Sequence, residues 1–372
     1  MKIDDKTSHN SPSLRFPEFT GEWEKYKIED ITDAVSSGKS KNHFSNGEYN
    51  LYGSTGIIGR TDKALYDGKL VLVARVGANA GFLQIINEPC GITDNTLILK
   101  PKGIDAFYLY YFLQHFNLNR LIFGSGQPLI TGGKLKKVKV SLGTISEQSK
   151  IVKFLSLLDE RIAVQSRLIE DLKKLRCALE ERMLGQCQGK QVRLRDILIE
   201  RVEKSRINNQ YEVLSSTVSG IYSQREYFNK EIASADNTGY KAIHRGDVVL
   251  SPQNLWMGNI NYNDRFEIGI VSPSYKVFSI DEKFDKGYIA FLLKTRKALW
   301  AYSLVSEQGA SIVRRNLNYE SFLEISFVIP SLKEQQATAR RLSAFKQKQT
   351  MEEAFLRSLL LQKEFMLKSL FI

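Results

Sequence analysis

The sequence predicts an α+β protein built as two copies of one plan, each copy a mixed α/β domain followed by a long helix. Three observations predict this fold class: an internal repeat, a long amphipathic helix at the end of each copy, and short glycine-punctuated strands before each helix. A shift of 187 positions (334 minus 147) places Glu147-Gln148 on Glu334-Gln335 and Leu155 on Leu342. Because the chain has 372 residues, this shift is almost half its length.

Both predicted long helices carry the apolar spacing of a coiled coil. In the helix from Ile145 to Gln186, apolar residues recur in steps of four and three, interrupted by Gln165 and Arg176, and the first helix breaker is Gly185. Some 34 residues at about 1.5 Å each give a rod of about 50 Å. The alternative is an ordinary amphipathic core helix, which usually runs roughly 8–20 residues.

We expect the two helices of one chain to pair with each other, because an apolar stripe of this length needs a partner. The second helix, from Glu334 to the end of the sequence, keeps the apolar positions of the first around a polar middle. The predicted coiled-coil interface consists of Ile151, Leu155, Leu158, Ile162, Ile169, Leu172, Leu179, Met183, Leu342, Phe345, Leu356, Leu359, Met366 and Leu370.

Composition limits the functional classes. Lys and Arg total 53 against 41 Asp and Glu, and the formal charge of +12 favours a polyanion such as DNA or RNA as partner, the alternative being a basic solvated surface. The polar start and the lack of a membrane-length apolar run predict a cytoplasmic protein without membrane association. Three cysteines without Cys-x-x-Cys spacing and four scattered histidines support neither a disulfide framework nor a zinc site.

The segment before each long helix is a succession of strands and turns. Residues 1–13 have no periodic apolar signal and are predicted to be flexible, whereas 26–31 and its repeat partner 192–197 are predicted as short helices. The buried strands are predicted at 70–74 and 96–99 in the first copy and at 246–250 and 274–278 in the second. The loops differ more between copies than the strands, which indicates a constant scaffold with a variable reading surface.

An aromatic helix follows the strands of each copy, at 107–113 and at 288–293. Aromatic residues at this spacing are more often part of a core than platforms for base stacking. We therefore expect both helices to cover their sheets.

Catalytic motifs do not match the sequence. The glycine-rich run ending at Gly133-Lys134 has Pro128 where a P-loop needs its first glycine and Leu135 where it needs a hydroxyl. An adenine methyltransferase needs a glycine-rich cofactor turn and a Pro-Pro-aromatic tetrapeptide, and Ser251-Pro-Gln-Asn254 lacks the second proline and the aromatic ring. No proline is followed by Asp, so the usual nuclease opening is missing too. The sequence predicts a non-catalytic chain without a metal or cofactor of its own.

A binding signature remains. Four lysines between Lys134 and Lys139 follow a glycine-rich loop, and Arg314-Arg315-Asn316 takes the equivalent place in the second copy. Such cations neutralise phosphates, while Gln127 or Asn316 offers paired hydrogen bonds to an adenine edge. The alternative is that Lys136 and Lys139 form the outward face of a strand. The candidate DNA-binding residues are Lys39, Lys41, Asn42, Tyr52, Ser54, Arg75, Asn79, Gln127, Lys134, Lys136, Tyr222, Arg225, Gln253, Asn254, Trp256, Arg314, Arg315 and Asn316.

Over nearly its whole length the chain resembles the specificity subunits of type I restriction–modification systems. The resemblance rests on the repeat together with the opening 14–23, the stretches 52–59 and 73–81, and the Glu-Gln pair that starts each long helix. The family usually has a proline-rich turn before each Glu-Gln pair. Pro330 supplies it in the second copy, whereas the first copy reads Leu142-Gly-Thr-Ile145.

The resemblance implies two mixed α/β target-recognition domains joined by two long antiparallel coiled-coil helices in a pseudo-twofold repeat. The domains would be similar to the DNA-reading domain of TaqI-type adenine methyltransferases. The implied segments are a flexible terminus (1–13), the first target-recognition domain (14–144), the central helix (145–186), the second target-recognition domain (187–333) and the C-terminal helix (334–372).

It further implies a division of labour within a DNA methylation and restriction complex. Each domain would read half of a split, asymmetric target in double-stranded DNA, and the paired helices would set the spacer, about one and a half turns of some 34 Å each. Two modification subunits would carry S-adenosylmethionine, and two restriction subunits would use ATP and Mg.

Three alternatives stay open from the sequence. The first is a coiled-coil nucleic-acid-binding scaffold without sequence specificity, which includes an RNA-binding protein. The second is a self-contained DNA methyltransferase or nuclease. The third is a specificity chain that acts without partner subunits.

Overall fold

The chain divides into two units, and each unit combines a globular domain with parts of both long helices. The first unit comprises Met1–Ser166 and Ala354–Ile372, and the second comprises Arg167–Glu353. The structure is a computed structural model, and the residues it describes are 11–41, 46–122, 128–228, 236–308 and 314–372.

The first unit contains two sheets and a short strand pair. Its strands are β1 (Glu24–Lys27), β2 (Thr32–Ser37), β3 (Tyr49–Gly53), β4 (Gly56–Thr61), β5 (Lys69–Ala74), β6 (Leu83–Asn87), β7 (Cys90–Ile92), β8 (Thr96–Pro101) and β9 (Lys139–Leu142). Its helices are α1 (Ala106–Phe116), α2 (Gly132–Lys136) and the first part of α3 (Ile145–Gly185), with 3-10 turns at Ile28–Asp30 and Leu118–Leu121.

Among the described residues, the second unit has more strands than the first, and most of them are shorter. They are β10 (Lys190–Arg193), β11 (Leu198–Glu200), β12 (Leu214–Ser216), β13 (Ile221–Ser223), β14 (Lys241–His244), β15 (Val248–Leu250), β16 (Ile260–Tyr262), β17 (Ile268–Val271), β18 (Lys276–Ile280), β19 (Ser306–Gln308), β20 (Arg315–Leu317) and β21 (Ser326–Ile329). The helices are α4 (Leu194–Ile197), α5 (Gln224–Phe228), α6 (Lys286–Leu292), α7 (Arg296–Leu304), α8 (Tyr319–Glu324) and the long α9 (Leu332–Leu370), with a 3-10 helix at Pro252–Met257.

Sheet topology shows the repeat directly. A four-stranded antiparallel sheet has the order β2-β8-β5-β6 in the first unit and β11-β18-β15-β16 in the second. Each unit also has a hairpin in a smaller sheet, β3–β4 in the first and β12–β13 in the second. The two copies therefore share one scaffold.

In the first unit, α1 covers the four-stranded sheet because its apolar face is aromatic. Asp105 begins this helix by accepting from the N–H groups of Phe107 and Tyr108, and Asn117, with a positive φ of 56°, ends it. Tyr108 and Phe112 are buried, as expected for core rather than stacking residues. Phe371, from the end of α9, packs into the same core, its ring centroid 5.2 Å from that of Tyr108.

The second unit has an equivalent core under α6. Tyr288, Phe278 and Phe322 are fully buried there. Asp285 begins the helix by accepting from the N–H of Tyr288, and the side chain of Gln335 accepts from the N–H of Asp285. The start of α9 is thereby tied to the start of the aromatic helix within this unit.

Within each unit, α3 and α9 run antiparallel. In the first, Asp159 binds Lys363 at 2.6 Å, and Arg161 lies over the ring of Phe355. In the second, Lys173 binds Glu353 at 3.3 Å and Arg176 donates to Gln349 at 3.1 Å. All residues of the predicted coiled-coil interface are buried or half-buried, and Gly185 ends α3.

The Glu-Gln pair that starts each long helix has one shared role and one that differs. Gln148 and Gln335 each donate to a carbonyl five residues earlier, at 3.0 and 2.9 Å. Glu147 is fully buried and binds Arg15, whereas Glu334 is exposed and accepts from Ser331. The Gln side chain therefore fixes the start of the long helix in both copies. The neighbouring Glu forms a buried ion pair in the first copy only.

One local prediction is wrong in its first half. Residues 26–31 and 192–197 were expected to be helical, but Glu24–Lys27 and Lys190–Arg193 are strands that pair with β9 and β21. Only the residues after them turn helical. The long-range strand partner overrides local propensity here, since the four residues of each strand gain ladder hydrogen bonds that an isolated turn lacks.

Candidate nucleic-acid interface

In the first unit, several candidate residues meet where β3–β4, β5 and the segment before α2 come together. Ser54 donates from its hydroxyl to the Asn95 carbonyl at 3.3 Å, and the Arg75 N–H donates to the same carbonyl at 2.9 Å. The Arg75 carbonyl accepts from the Ile130 N–H, just before α2. Ser54, Arg75 and the α2 lysines thus belong to neighbouring backbone segments.

The Arg75 guanidinium has one nitrogen that is hydrogen-bonded within the protein and another that lacks a partner among the described residues. Its Nη1 donates to Ser37 at 3.3 Å, whereas its Nε is buried and has no hydrogen-bond partner among the described residues. A guanidinium in this state is suited to an external acceptor such as a phosphate or a guanine edge.

The other first-unit candidates differ in exposure. Lys39, Lys41 and Asn79 are exposed, as is Lys134, whose ammonium donates to the Leu121 carbonyl at 3.4 Å. Lys136 is half-buried and lies at the end of α2, so the alternative that placed it on a strand is wrong for this residue, whereas Lys139 is indeed exposed on strand β9. Asn42 and Gln127 lie outside the described residues.

Tyr52 is engaged inside the protein. Its hydroxyl donates to Glu88 at 2.5 Å, and burial together with this carboxylate raises the pKa of Tyr52 to about 12. Asn50 donates to the same carboxylate at 2.8 Å, and these two hydrogen bonds hold the pKa of Glu88 below its ordinary value. Tyr52 therefore anchors the β3–β4 hairpin close to its turn.

In the second unit, Arg315 and Trp256 form a stacked pair. The Arg315 guanidinium lies 4.2 Å from the centroid of the indole, and its buried Nε has no hydrogen-bond partner among the described residues. A flat cation held by an aromatic ring keeps its charge available while its orientation is fixed. Gln253, Arg314 and Asn316 are exposed on the same two elements, the 3-10 helix and β20 with the residue before it.

Asn254, Tyr222 and Arg225 contribute in other ways. Asn254 is half-buried, with a side-chain oxygen that has no hydrogen-bond partner in the described part of the chain. Tyr222 lies in β13 with its ring 5.3 Å from that of Tyr227, and Arg225 lies in α5, directly after that strand. These three candidates of the second unit therefore lie on the β13 strand of the hairpin, on α5 and on the 3-10 helix.

The hairpin tips are largely missing from the residues predicted from sequence. Thr55 in the first unit and Val218 and Ser219 in the second are exposed, and only the neighbouring Ser54 was predicted. The signal that could have found them is a Ser-Thr pair followed within four residues by glycine, present at 54–56 and 216–220.

Lys294 is a further cation that the sequence patterns did not indicate. Its ammonium donates to the carbonyls of Val218 at 3.2 Å and Gly258 at 2.8 Å, and burial lowers its pKa to about 8. It therefore joins the second hairpin tip to the end of the 3-10 helix.

Two negative findings hold for the described residues. They include no group of three or more His, Cys, Asp or Glu side chains able to hold a metal ion. None of their helices has the length and apolarity needed to cross a membrane.

Comparison with known proteins supports the resemblance found in the sequence. Residues 20–174 match the model of the type I restriction modification DNA specificity domain. The chain is therefore similar to the type I specificity subunits. The Escherichia coli type I restriction enzyme EcoprrI specificity subunit is 29% identical over 112 residues, 30% of this chain and 28% of that protein. A putative type I restriction enzyme MjaX specificity subunit of Methanocaldococcus jannaschii is 24% identical over 298 residues, 70% of this chain and 68% of its own length.

A solved structure shares the fold of nearly the whole chain. A solved type I S subunit from M. genitalium superposes with a TM-score of 0.64 at 19% identity and covers 97% of this chain and 99% of its own. The resemblance and the fold class predicted from the sequence are confirmed. The relatives are named specificity subunits, which agrees with the prediction that the chain is a specificity subunit rather than an enzyme.

Proposed function

We propose that the chain binds double-stranded DNA and reads a split, asymmetric target, with one half-site for each unit. The observation that carries this proposal is the repetition of one scaffold with different loops: the sheet order is the same in both units, while the residues at its loop ends differ. Two equivalent scaffolds with different loop surfaces are suited to the recognition of two different DNA half-site sequences. The formal charge of +12 supplies the attraction for a polyanion.

Phosphate contacts come from the cations of each unit, and base contacts from the polar loop residues. In the first unit Arg75, Lys134 and Lys136 are the proposed phosphate-binding group, and in the second Arg314 and Arg315 take this role. Support for Arg75 and Arg315 is that each has a buried Nε without a hydrogen-bond partner among the described residues. Such groups gain a hydrogen bond when an acceptor arrives, which raises affinity.

The paired helices α3 and α9 are proposed to set the unread spacer. Their apolar seam and the cross-helix pairs within each unit fix one register, and a fixed register gives a fixed gap. Changing the register by whole turns should then change the gap without changing either word.

Partner recruitment is the second part of the proposal. Two modification subunits would bring S-adenosylmethionine to the target adenine, and two restriction subunits would add ATP- and Mg-dependent cleavage. Exposed apolar side chains on the long helices are the proposed docking positions, Leu168 and Leu175 in the second unit and Phe355 in the first. Leu168 and Leu175 are exposed on a helix that is already paired, and Phe355 is partly exposed beside its contact with Arg161, so each keeps apolar surface for a second contact.

Docking is tested by co-purification. Leu168→Asp with Leu175→Asp should reduce recovery of the modification subunit, because charge on an apolar contact is costly. The matched control is Cys177→Asp, which changes an exposed residue on the same helix. Equal recovery from both variants would move the docking surface elsewhere.

The central experiment is a methylome. The chain is expressed with the modification subunit encoded beside it in a host that lacks other DNA methylation, and modified adenines are mapped by long-read sequencing. A single split motif with a fixed gap is expected, and exchange of residues 14–144 for those of another chain should change one half only. Soluble protein and an active modification subunit without any motif would favour the nonspecific nucleic-acid-binding scaffold.

A further inference from the structure

The two units present the same kind of hairpin tip, two residues longer in the second unit. In the first unit, β3 and β4 turn over at residues 53–56, and in the second β12 and β13 turn over at 216–221. The glycine that closes each turn has a positive φ, 134° for Gly56 and 148° for Gly220. These backbone conformations strongly favour glycine, so both copies require it at this place.

The side-chain amide of Gln84 holds the first tip. The Gln84 amide, on the edge strand β6, donates to the carbonyls of Gly53 at 2.9 Å and Ser54 at 3.2 Å. The Ser54 hydroxyl in turn donates to the Asn95 carbonyl. The tip is therefore attached to the main sheet by polar contacts on both sides.

The second tip is held in the same way, from the corresponding edge strand. Asn261, on β16, donates to the carbonyl of Thr217 and the hydroxyl of Ser216, both at 2.7 Å. Asn259 accepts from the same hydroxyl at 2.7 Å and donates to the Ser216 carbonyl at 2.9 Å. Lys294 adds the contact to the Val218 carbonyl.

Burying the polar side chains that support the second tip costs free energy, so their presence there calls for an explanation. Ser216, Asn259 and Asn261 are almost fully buried, and burying polar side chains contributes stability only when their hydrogen bonds are satisfied. Such a network fixes the position of the hairpin more strongly than an apolar contact of the same size. Rigid presentation of this kind is what a recognition element needs from the residues behind it.

The residues exposed at the hairpin tip differ between the units. The first tip exposes Thr55 beside Ser54, and the second is longer and exposes Val218 and Ser219. Half of the Val218 surface is exposed to solvent, although the turn that carries it is held by several hydrogen bonds. The support is common to both copies and the exposed tip is not, as expected for a scaffold that carries two different readers.

We propose that the two hairpin tips are base-reading elements of the DNA interface, with Thr55 contacting a base edge in one half-site and Val218 and Ser219 in the other. This inference rests on the proposed DNA-reading function. A two-stranded β-ribbon fits the major groove, where hydroxyl groups bond to base edges and apolar side chains contact the thymine methyl. The neighbouring cations Arg75 and Lys294 are placed to attract the flanking phosphates.

The test compares methylomes of tip variants expressed with the modification subunit. Val218→Ala should relax one or more positions in a single half of the motif, with roughly tenfold or greater loss of discrimination there. Thr55→Ala should relax only the other half, and the gap should stay the same in both. The matched control is Val202→Ala, the same substitution at an exposed valine of the second unit, which should leave both halves unchanged.

The outcomes distinguish a failure of the tip assignment from a failure of the proposed DNA-reading function. A wild-type motif that both tip variants leave unchanged overturns the assignment of the tips and leaves the proposed function standing. Relaxation of both halves by one variant overturns the assignment too, because each tip belongs to one unit. A wild-type methylome without any split motif overturns the proposed function and the tip assignment with it. Unchanged circular dichroism of the variants confirms that the fold is retained.

Discussion

Arg15 and Glu147 form a two-point ion pair in the first unit, with Nε 2.7 Å from Oε1 and Nη2 2.8 Å from Oε2. Trp23 donates from its indole nitrogen to the same carboxylate at 3.1 Å. The carboxylate is fully buried and the Arg15 side chain is 16% exposed. The segment before β1 is thereby attached to the first turn of α3.

Glu147→Gln is expected to destabilise the first unit by about 3 kcal/mol, because it breaks a two-point ion pair whose carboxylate is fully buried and leaves the half-buried Arg15 guanidinium without its counter-charge. The matched control is Glu334→Gln at the repeat-equivalent position, where the carboxylate is exposed and its loss should have a much smaller effect. Hydrogen exchange across residues 145–155 and 332–342 measures both variants. Equal loss of protection at the two helix starts would contradict the anchoring role.

A second prediction concerns two adjacent leucines of α3. Leu158 is 7% exposed, in the coiled-coil seam, whereas Leu157 is 57% exposed. Leu158→Ala should cost about 2–5 kcal/mol from lost burial and the cavity left behind. Leu157→Ala should change the unfolding free energy of the isolated chain by less than about 0.5 kcal/mol. Denaturant unfolding of both variants measures the difference, and similar midpoints would argue against the paired helices.

The long helices and their boundaries are the part of the fold most accessible from sequence. A four-three apolar spacing over many turns without Gly or Pro leaves few alternatives, and the helix predicted from 145 to 186 runs from Ile145 to Gly185. Buried strands with continuous apolar runs were also located, such as β5 at the stretch predicted for 70–74. These signals are local and periodic, so one sequence suffices to find them.

Contacts between distant residues were much harder to foresee. The first copy has Gly143 where the family usually has a proline turn, and the structure gives the reason: a Cβ there would lie 2.3 Å from the Glu147 carboxylate and 2.7 Å from the Trp23 indole nitrogen. The glycine makes room for the buried anchor.

The same limit applies to the candidate interface. The sequence predicts Tyr52 as a polar loop residue of the interface, yet its hydroxyl is bound internally by Glu88. No local pattern indicates Lys294, because only the fold brings it beneath the second hairpin tip. Whether a polar side chain faces solvent or its own protein depends on partners far away in sequence.

Acid should weaken the first unit through His115. Its ring packs 5.8 Å from that of Phe371, and burial, with a smaller contribution from Arg120, lowers its pKa below the ordinary 6.5 against an opposing effect of the Leu367 main chain. Since the unfolded chain then takes up a proton that the folded chain does not, stability is full above pH 6.5 and declines as the pH falls towards the folded-state pKa. His115→Gln should flatten the pH dependence of thermal unfolding just below that pH. The same slope in wild type and variant would contradict this role.

The α2 lysines predict a specific salt dependence of DNA binding. If Lys134 and Lys136 each neutralise one phosphate, replacing either by Ala should make the slope of log affinity against log salt concentration shallower by about 1 and weaken specific and nonspecific DNA alike. The matched control is Lys368→Ala, which removes a lysine that pairs with Glu364 on α9. Fluorescence anisotropy over a range of salt concentrations measures all three variants. A loss confined to one target sequence would assign these lysines to base reading, and an unchanged slope would remove them from the interface.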